Sequence, residues 1–129
     1  MSEERHTFPA KERLKGEKTI SSLFTDGKSG FCYPFRYVWR VDKREGAAVG
    51  IKVLISVPKK HFKRAVKRNL LKRRTREAYR LNKDGLTIPV TESNKSIQLA
   101  FIYSSKELHD FKTIENGVKR ILGEILGRI

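Results

Sequence analysis

Between Lys59 and Arg80 the chain places eleven basic residues and a single acid, Glu77, within 22 consecutive positions. No Gly or Pro falls between Lys59 and Asp84, and Leu, Arg, Lys, Ala and Glu all favour helix. Pro58 stands just ahead, where Pro is tolerated at a helix entry. The stretch therefore predicts a helix so cationic that it can be buried on one side only. At about 100° per residue, Val66, Leu70, Leu71, Ala78 and Leu81 fall within an arc of about 140°, the expected core face. Arg68, Asn69, Lys72, Arg73, Arg76 and Arg80 fall on the opposite arc. Arg74 and Lys67 lie inside the apolar arc, where long stems that snorkel would keep their charges wet.

The charge of this element dominates the molecule. The whole chain has a formal charge of +15, and this stretch supplies +10 of it; the other 107 residues carry 18 basic and 13 acidic groups. Solubility alone asks for a magnitude of roughly 2 to 8 in a small domain. Arg68, Lys72, Arg76 and Arg80 follow one another at i+4 spacing, which destabilises an isolated helix by a few tenths of a kcal/mol per pair. A merely solvated face would intersperse acids. A ridge of cations without them fits a partner that presents phosphates, and nucleic acid is the abundant one. A membrane surface would require an interfacial apolar face that is not evident in the sequence.

The remaining residues read as one small domain around that helix. A length of 129 residues suits a single core. Cys32 alone excludes an internal disulfide, and no apolar run approaches the roughly 18 residues of a membrane span. The polar N-terminus lacks a secretory pattern, so a cytoplasmic protein is expected. Residues 1–11 read as a mobile tail and residues 12–129 as the domain. A first helix begins near Glu17 or Lys18 and ends at Asp26-Gly27. Phe31 to Val41 alternates as a strand, with Phe35, Tyr37, Trp39 and Val41 on one face and Arg36, Val38 and Arg40 on the other. Ala47 to Val57 alternates as a second strand. Asp84 to Ser96 reads as a loop, Ile97 to Tyr103 as a third strand, and Phe111 to Leu126 as an amphipathic helix capped by Asp110. The order predicts an α/β sandwich with a small sheet.

Nothing in the sequence supports covalent chemistry by the protein itself. His6, His61 and His109 lack partners at metal-ligand spacing except the adjacent His109-Asp110, where Asp110 reads as a helix cap; no close carboxylate cluster occurs outside the tail pair Glu3 and Glu4, and no Gly-rich phosphate loop occurs. Cys32 reads as a small buried strand residue. The catalytic and metal-ligand sets are therefore expected to be empty. A paired His61 and His109 acting as acid and base is the one alternative open to a stand-alone ribonuclease.

The segment RAVKRNLLKRRTREAYR, Arg64 to Arg80, resembles the signature of the protein subunit of bacterial ribonuclease P. Ala65, Val66, Arg68, Asn69, Lys72, Arg73, Arg76, Glu77, Tyr79 and Arg80 match it. The N-terminal RLKGEKTISSLFTDG is similar to that family's opening motif, and Ser56-Val57 followed by Lys59-Lys60 matches the approach to its helix. Leu70 replaces a usual Arg and Ile20 a usual Phe. The resemblance implies a single-domain α/β sandwich with a small mixed sheet and a left-handed βαβ crossover, where chain chirality alone would favour a right-handed one. It also implies a ribonucleoprotein, one protein per RNA, that removes the 5′ leader of precursor tRNA. Its RNA subunit is the catalyst and requires Mg²⁺; the protein binds no cofactor.

Two surfaces follow as expectations. Lys59, Lys60, Arg64, Arg68, Asn69, Lys72, Arg73, Arg76 and Arg80 would grip RNA phosphates, which fixes position rather than reading sequence. Ile20, Phe24, Phe35 and Tyr37 would line a leader cleft, with the rings stacking on unpaired bases. The competing reading is a ribosomal or other structural RNA-binding protein with no part in cleavage.

Overall fold

A computed structural model describes residues 12–129; the tail expected at residues 1–11 lies outside the described residues. The elements in chain order are α1 (Glu17–Asp26), β1 (Lys28–Cys32), β2 (Phe35–Val41), β3 (Gly50–Ser56), α2 (Ala65–Asn82), α3 (Asp84–Glu92), β4 (Ser96–Tyr103) and α4 (Phe111–Leu126). The four strands form one mixed sheet in the order β1-β2-β4-β3. β4 lies at its centre, antiparallel to β2 and parallel to β3.

Three expectations change. The single strand expected over Phe31–Val41 is a hairpin, because Tyr33-Pro34, joined by a cis peptide bond, turns the chain and Cys32 then pairs with Phe35. The loop expected at Asp84–Ser96 contains α3, whose Leu86 and Val90 sit one turn apart and are both buried. The basic helix begins at Ala65 rather than Lys59, leaving Lys59 and Lys60 in the turn before it.

Helices cover both faces of the sheet. On one face, Phe35, Tyr37, Trp39, Ile51, Val53, Leu99, Phe101 and Tyr103 form the main core with residues of α2, α3 and α4. On the other, Leu14 and Leu23 pack on Val38 and Ala100, with Ile20, Leu54 and Ile102 at the margin. Full burial of such side chains contributes roughly 1.5–3 kcal/mol each. α4 approaches the hairpin closely at Gly117, where a Cβ would lie 2.8 Å from the Tyr33 carbonyl oxygen. Asp110 caps α4 as expected: its Oδ1 accepts from the Thr113 N–H at 2.9 Å.

The handedness of the crossover follows from the ladder. Gly50 N–H donates to the Lys95 carbonyl at 2.9 Å, and Asp42 N–H donates to the Ser96 carbonyl at 2.7 Å. Odd-numbered residues of β4 thus face β3 and even-numbered ones face β2. The odd residues are also those whose side chains enter the main core. For L-residues this places β3 to the right of β4 when the strands run upward and the core faces the viewer. The chain leaves β3, passes in front through α2 and α3, and enters β4 on the left. The crossover is left-handed, against about 98% of such units.

Candidate nucleic-acid interface

α2 buries Leu71, Thr75, Ala78 and Tyr79, and this differs from the expected apolar stripe. Val66 is 78% exposed and Leu81 53%, so the helix is rotated toward Thr75 and Tyr79. Thr75 is tolerated there because its hydroxyl donates to the Leu71 carbonyl at 2.8 Å. The rotation leaves Arg68, Asn69, Lys72, Arg73 and Arg76 on one flank, within an arc of about 140°. Arg74 lies outside this flank and donates to the His109 carbonyl, tying α2 to the loop before α4.

The cations do not all have the same freedom. Asn69 and Arg73 are exposed, as are Lys59, Lys60 and Arg64 ahead of the helix. Arg68 donates through one terminal nitrogen to the Phe62 and Lys63 carbonyls, each at 2.8 Å, so it also holds the turn that precedes α2. Arg80 is ion-paired with Glu77, which accounts for the one acid of the stretch. Arg64 stands at the N-cap, where no side chain caps the helix and no acid occupies the first turn. Cations at that end oppose the helix dipole by about 0.3–1 kcal/mol each. An anion placed there would relieve both the dipole and the charge repulsion.

Beside this flank lies a groove of about 470 Å³ lined by Arg13, Leu14, Lys15, Val53, Leu54, Ile55, Lys72 and Arg76. It forms because Arg13 and Leu14 run alongside the edge strand β3; Leu14 N–H donates to the Val53 carbonyl at 2.9 Å. Burial, then the charges of Arg13 and Arg73, push the Arg76 guanidinium below its ordinary pKa.

The residues expected to form the leader cleft are divided between two faces. Ile20 is half-buried against the cluster of Leu14, Leu23, Val38 and Ala100, and Phe24, one turn further on, is 43% exposed. Phe35 and Tyr37 lie on the opposite sheet face and belong to the core, so neither can stack on a base. The Phe35 ring meets Phe101 and Tyr103 edge-on, each at 5.7 Å. The Tyr37 hydroxyl donates to Glu124, and burial with that bond pushes its pKa up to about 12. The floor that α1 leaves uncovered is a row across all four strands: Phe31 pairs with Arg36, Arg36 with Ile102, and Ile102 with Ser56. The sequence alone does not single these residues out. Alternation separates Arg36 from Phe35, but nothing local tells which side the first helix covers.

His109 takes a structural position, and His6 lies outside the described residues. His109 Nε2 lies 2.8 Å from the Tyr33 hydroxyl and 3.2 Å from Ser105 Oγ, on the α4 side of the molecule. Among the described residues no three of His, Cys, Asp or Glu gather as a metal-holding group. No described helix is long and apolar enough to cross a membrane.

Fold and surface define a class: a small α/β sandwich with a left-handed crossover whose one cationic helix flank leads into a groove. The chain belongs to the ribonuclease P protein family, which its sequence matches over residues 8–126. It is 42% identical over 118 residues to the ribonuclease P protein component of Porphyromonas gingivalis, covering 92% of this chain and 85% of the relative. The Chlorobaculum tepidum protein component is 34% identical over 114 residues, covering 82% and 73%. The ribonuclease P protein of Thermotoga maritima superposes with a TM-score of 0.66 at 27% identity, covering 92% and 97%. The Staphylococcus aureus protein has the same fold, with a TM-score of 0.68 at 23% identity and coverage of 88% and 94%. The chain is thus a protein component of the ribonuclease P holoenzyme, which processes tRNA 5′ ends, and associates with its RNA.

Proposed function

We propose that the α2 flank seats the protein on the ribonuclease P RNA, while the uncovered sheet face beside α1 receives the 5′ leader of precursor tRNA. The cationic flank leading into the Arg13–Arg76 groove carries this reading. Arg forks and Lys ammonium groups bind phosphate oxygens whatever the sequence. Lys59, Lys60 and Arg64 extend the patch around the uncapped start of α2. Ile20, Phe24, Arg36, Ile102 and Ser56 offer a shallow, largely uncharged track beside it, suited to unpaired nucleotides.

In this reading the RNA performs the cleavage, one protein serves one RNA, and the complex works in the cytoplasm. The Mg²⁺ that cleavage requires is held by the RNA. The protein supplies position: it neutralises phosphates that would otherwise repel one another, and it holds the leader so that the scissile bond stays in register.

Reconstitution tests this. Precursor tRNA is mixed with a ribonuclease P RNA at low Mg²⁺, with and without the protein. Faster cleavage with the protein, and none by the protein alone, is the expected result. Unchanged cleavage, or hydrolysis of RNA by the polypeptide unaided, would overturn it.

A further inference from the structure

The row that α1 leaves uncovered ends, at the β1 edge, in an aromatic ring. Phe31 is 56% exposed and belongs to neither core cluster. Its cross-strand partner is Arg36, so the two side chains stand on the same face as neighbours. Arg36 is exposed, and no ion pair among the described residues engages it. Tyr33, 47% exposed, stands next to Phe31 with ring centroids 6.4 Å apart, and its hydroxyl is anchored on His109 and Ser105.

We propose that Phe31 and Arg36 form a stacking site for an unpaired nucleobase at the far end of the sheet track. This rests on the reading that a single-stranded leader runs along that face. A flat ring beside a planar, delocalised cation holds a base by stacking and by cation–π attraction, whatever its identity. The site is continuous with the row Arg36–Ile102–Ser56, which ends on β3, the strand whose Val53, Leu54 and Ile55 line the groove with Lys72 and Arg76. A protein partner would ask Arg36 for an acidic neighbour, whereas RNA brings its own phosphates. Three strand spacings separate Ser56 from Phe31, about 14 Å. That spans about four bases at the 3.4 Å rise of a duplex strand, and fewer if the strand is stretched. Short leaders therefore end before they reach Phe31.

The test uses the full chain bound to a ribonuclease P RNA. Two precursor tRNAs are compared, one with a leader too short to cross the sheet and one long enough to do so. Phe31→Leu keeps an apolar side chain but loses the ring; it should weaken binding of the long-leader substrate about 5- to 30-fold and leave the short one unchanged. Phe31→Trp keeps the ring and should bind the long leader at least as well as the parent. Equal weakening of both substrates, or no weakening of either, would overturn the stacking site. If the parent protein does not distinguish the two leaders, the leader path itself fails. If it does and Phe31→Leu preserves the distinction, only the stacking site fails.

Discussion

Arg68 shows how one side chain can serve both fold and surface. Two of its hydrogen bonds end on the Phe62 and Lys63 carbonyls, while Arg73, nearby on the same flank, is exposed. Arg68→Ala should therefore cost about 1 kcal/mol of stability, lowering the melting temperature by roughly 3–5 °C, as well as RNA affinity. Arg73→Ala should lower affinity alone. Parallel thermal melts and binding titrations check the split; equal melting temperatures would mean the carbonyl contacts contribute nothing. Asp42 makes a prediction of another kind. It accepts from the Arg44 backbone N–H and guanidinium and from Gln98 Nε2, and the Arg44 bonds hold its pKa down at about 2. A carboxylate depressed in the folded state adds stability above its unfolded pKa of about 4, and loses it as pH falls through about 2. Asp42→Asn should remove on the order of 1 kcal/mol at neutral pH, since Arg44 is largely exposed, and should flatten the acid limb of the stability curve. Melts of both proteins between neutral pH and the acid limit measure this.

Elements meet where their small residues allow it. In α4, helix propensity would favour Ala over Gly at position 117 by about 1 kcal/mol. The Cβ would nevertheless lie 2.8 Å from the Tyr33 carbonyl oxygen and 3.0 Å from Pro34 Cδ, both fixed by the hairpin turn. Gly117→Ala should then destabilise by about 1–3 kcal/mol in urea denaturation; a stabilised variant would show that α4 can shift away at no cost. The rotation of α2 has a related origin. Val66, Leu70 and Leu81 are apolar, yet Thr75 and Tyr79 are the residues buried with Leu71. Tyr79 packs edge-on against Phe101, and Thr75 satisfies its hydroxyl within the helix. Burial of a large ring outweighs exposure of two aliphatic side chains, and with that choice Lys72 and Arg76 turn toward the groove.

At the scale of the molecule, the excess of positive charge sets the energetics of binding. If about six to ten phosphates are contacted, affinity should fall roughly 10³- to 10⁵-fold between 50 and 200 mM salt. A shallow slope in a titration would exclude the phosphate flank as the main interface. The same repulsion should make the free protein less stable at low salt, and sulfate or phosphate should raise its melting temperature by binding the native state. Calorimetry with and without sulfate at constant ionic strength separates binding from screening.

The amino-acid order alone determined where the charge lies, that a helix carries it, where α1 and α4 begin, and that strands run through Phe35–Val41, Gly50–Ser56 and Ile97–Tyr103. Each of these depends on neighbours within a few turns: a cap, a period, a run without Gly or Pro. Only the tertiary structure decided which side of β2 faces outward. Alternation sorts Phe35 and Tyr37 from Arg36 and Val38, but a pleated strand is symmetric between its two faces until helices choose one. α1 crosses over Val38 and Ala100, so the floor beside it falls to the exposed Phe31 and Arg36 and the half-buried Ile102, while Phe35 and Tyr37 enter the core. The left-handed crossover was decided in the same way: it depends on which face α2 packs against, a contact between residues distant in the chain.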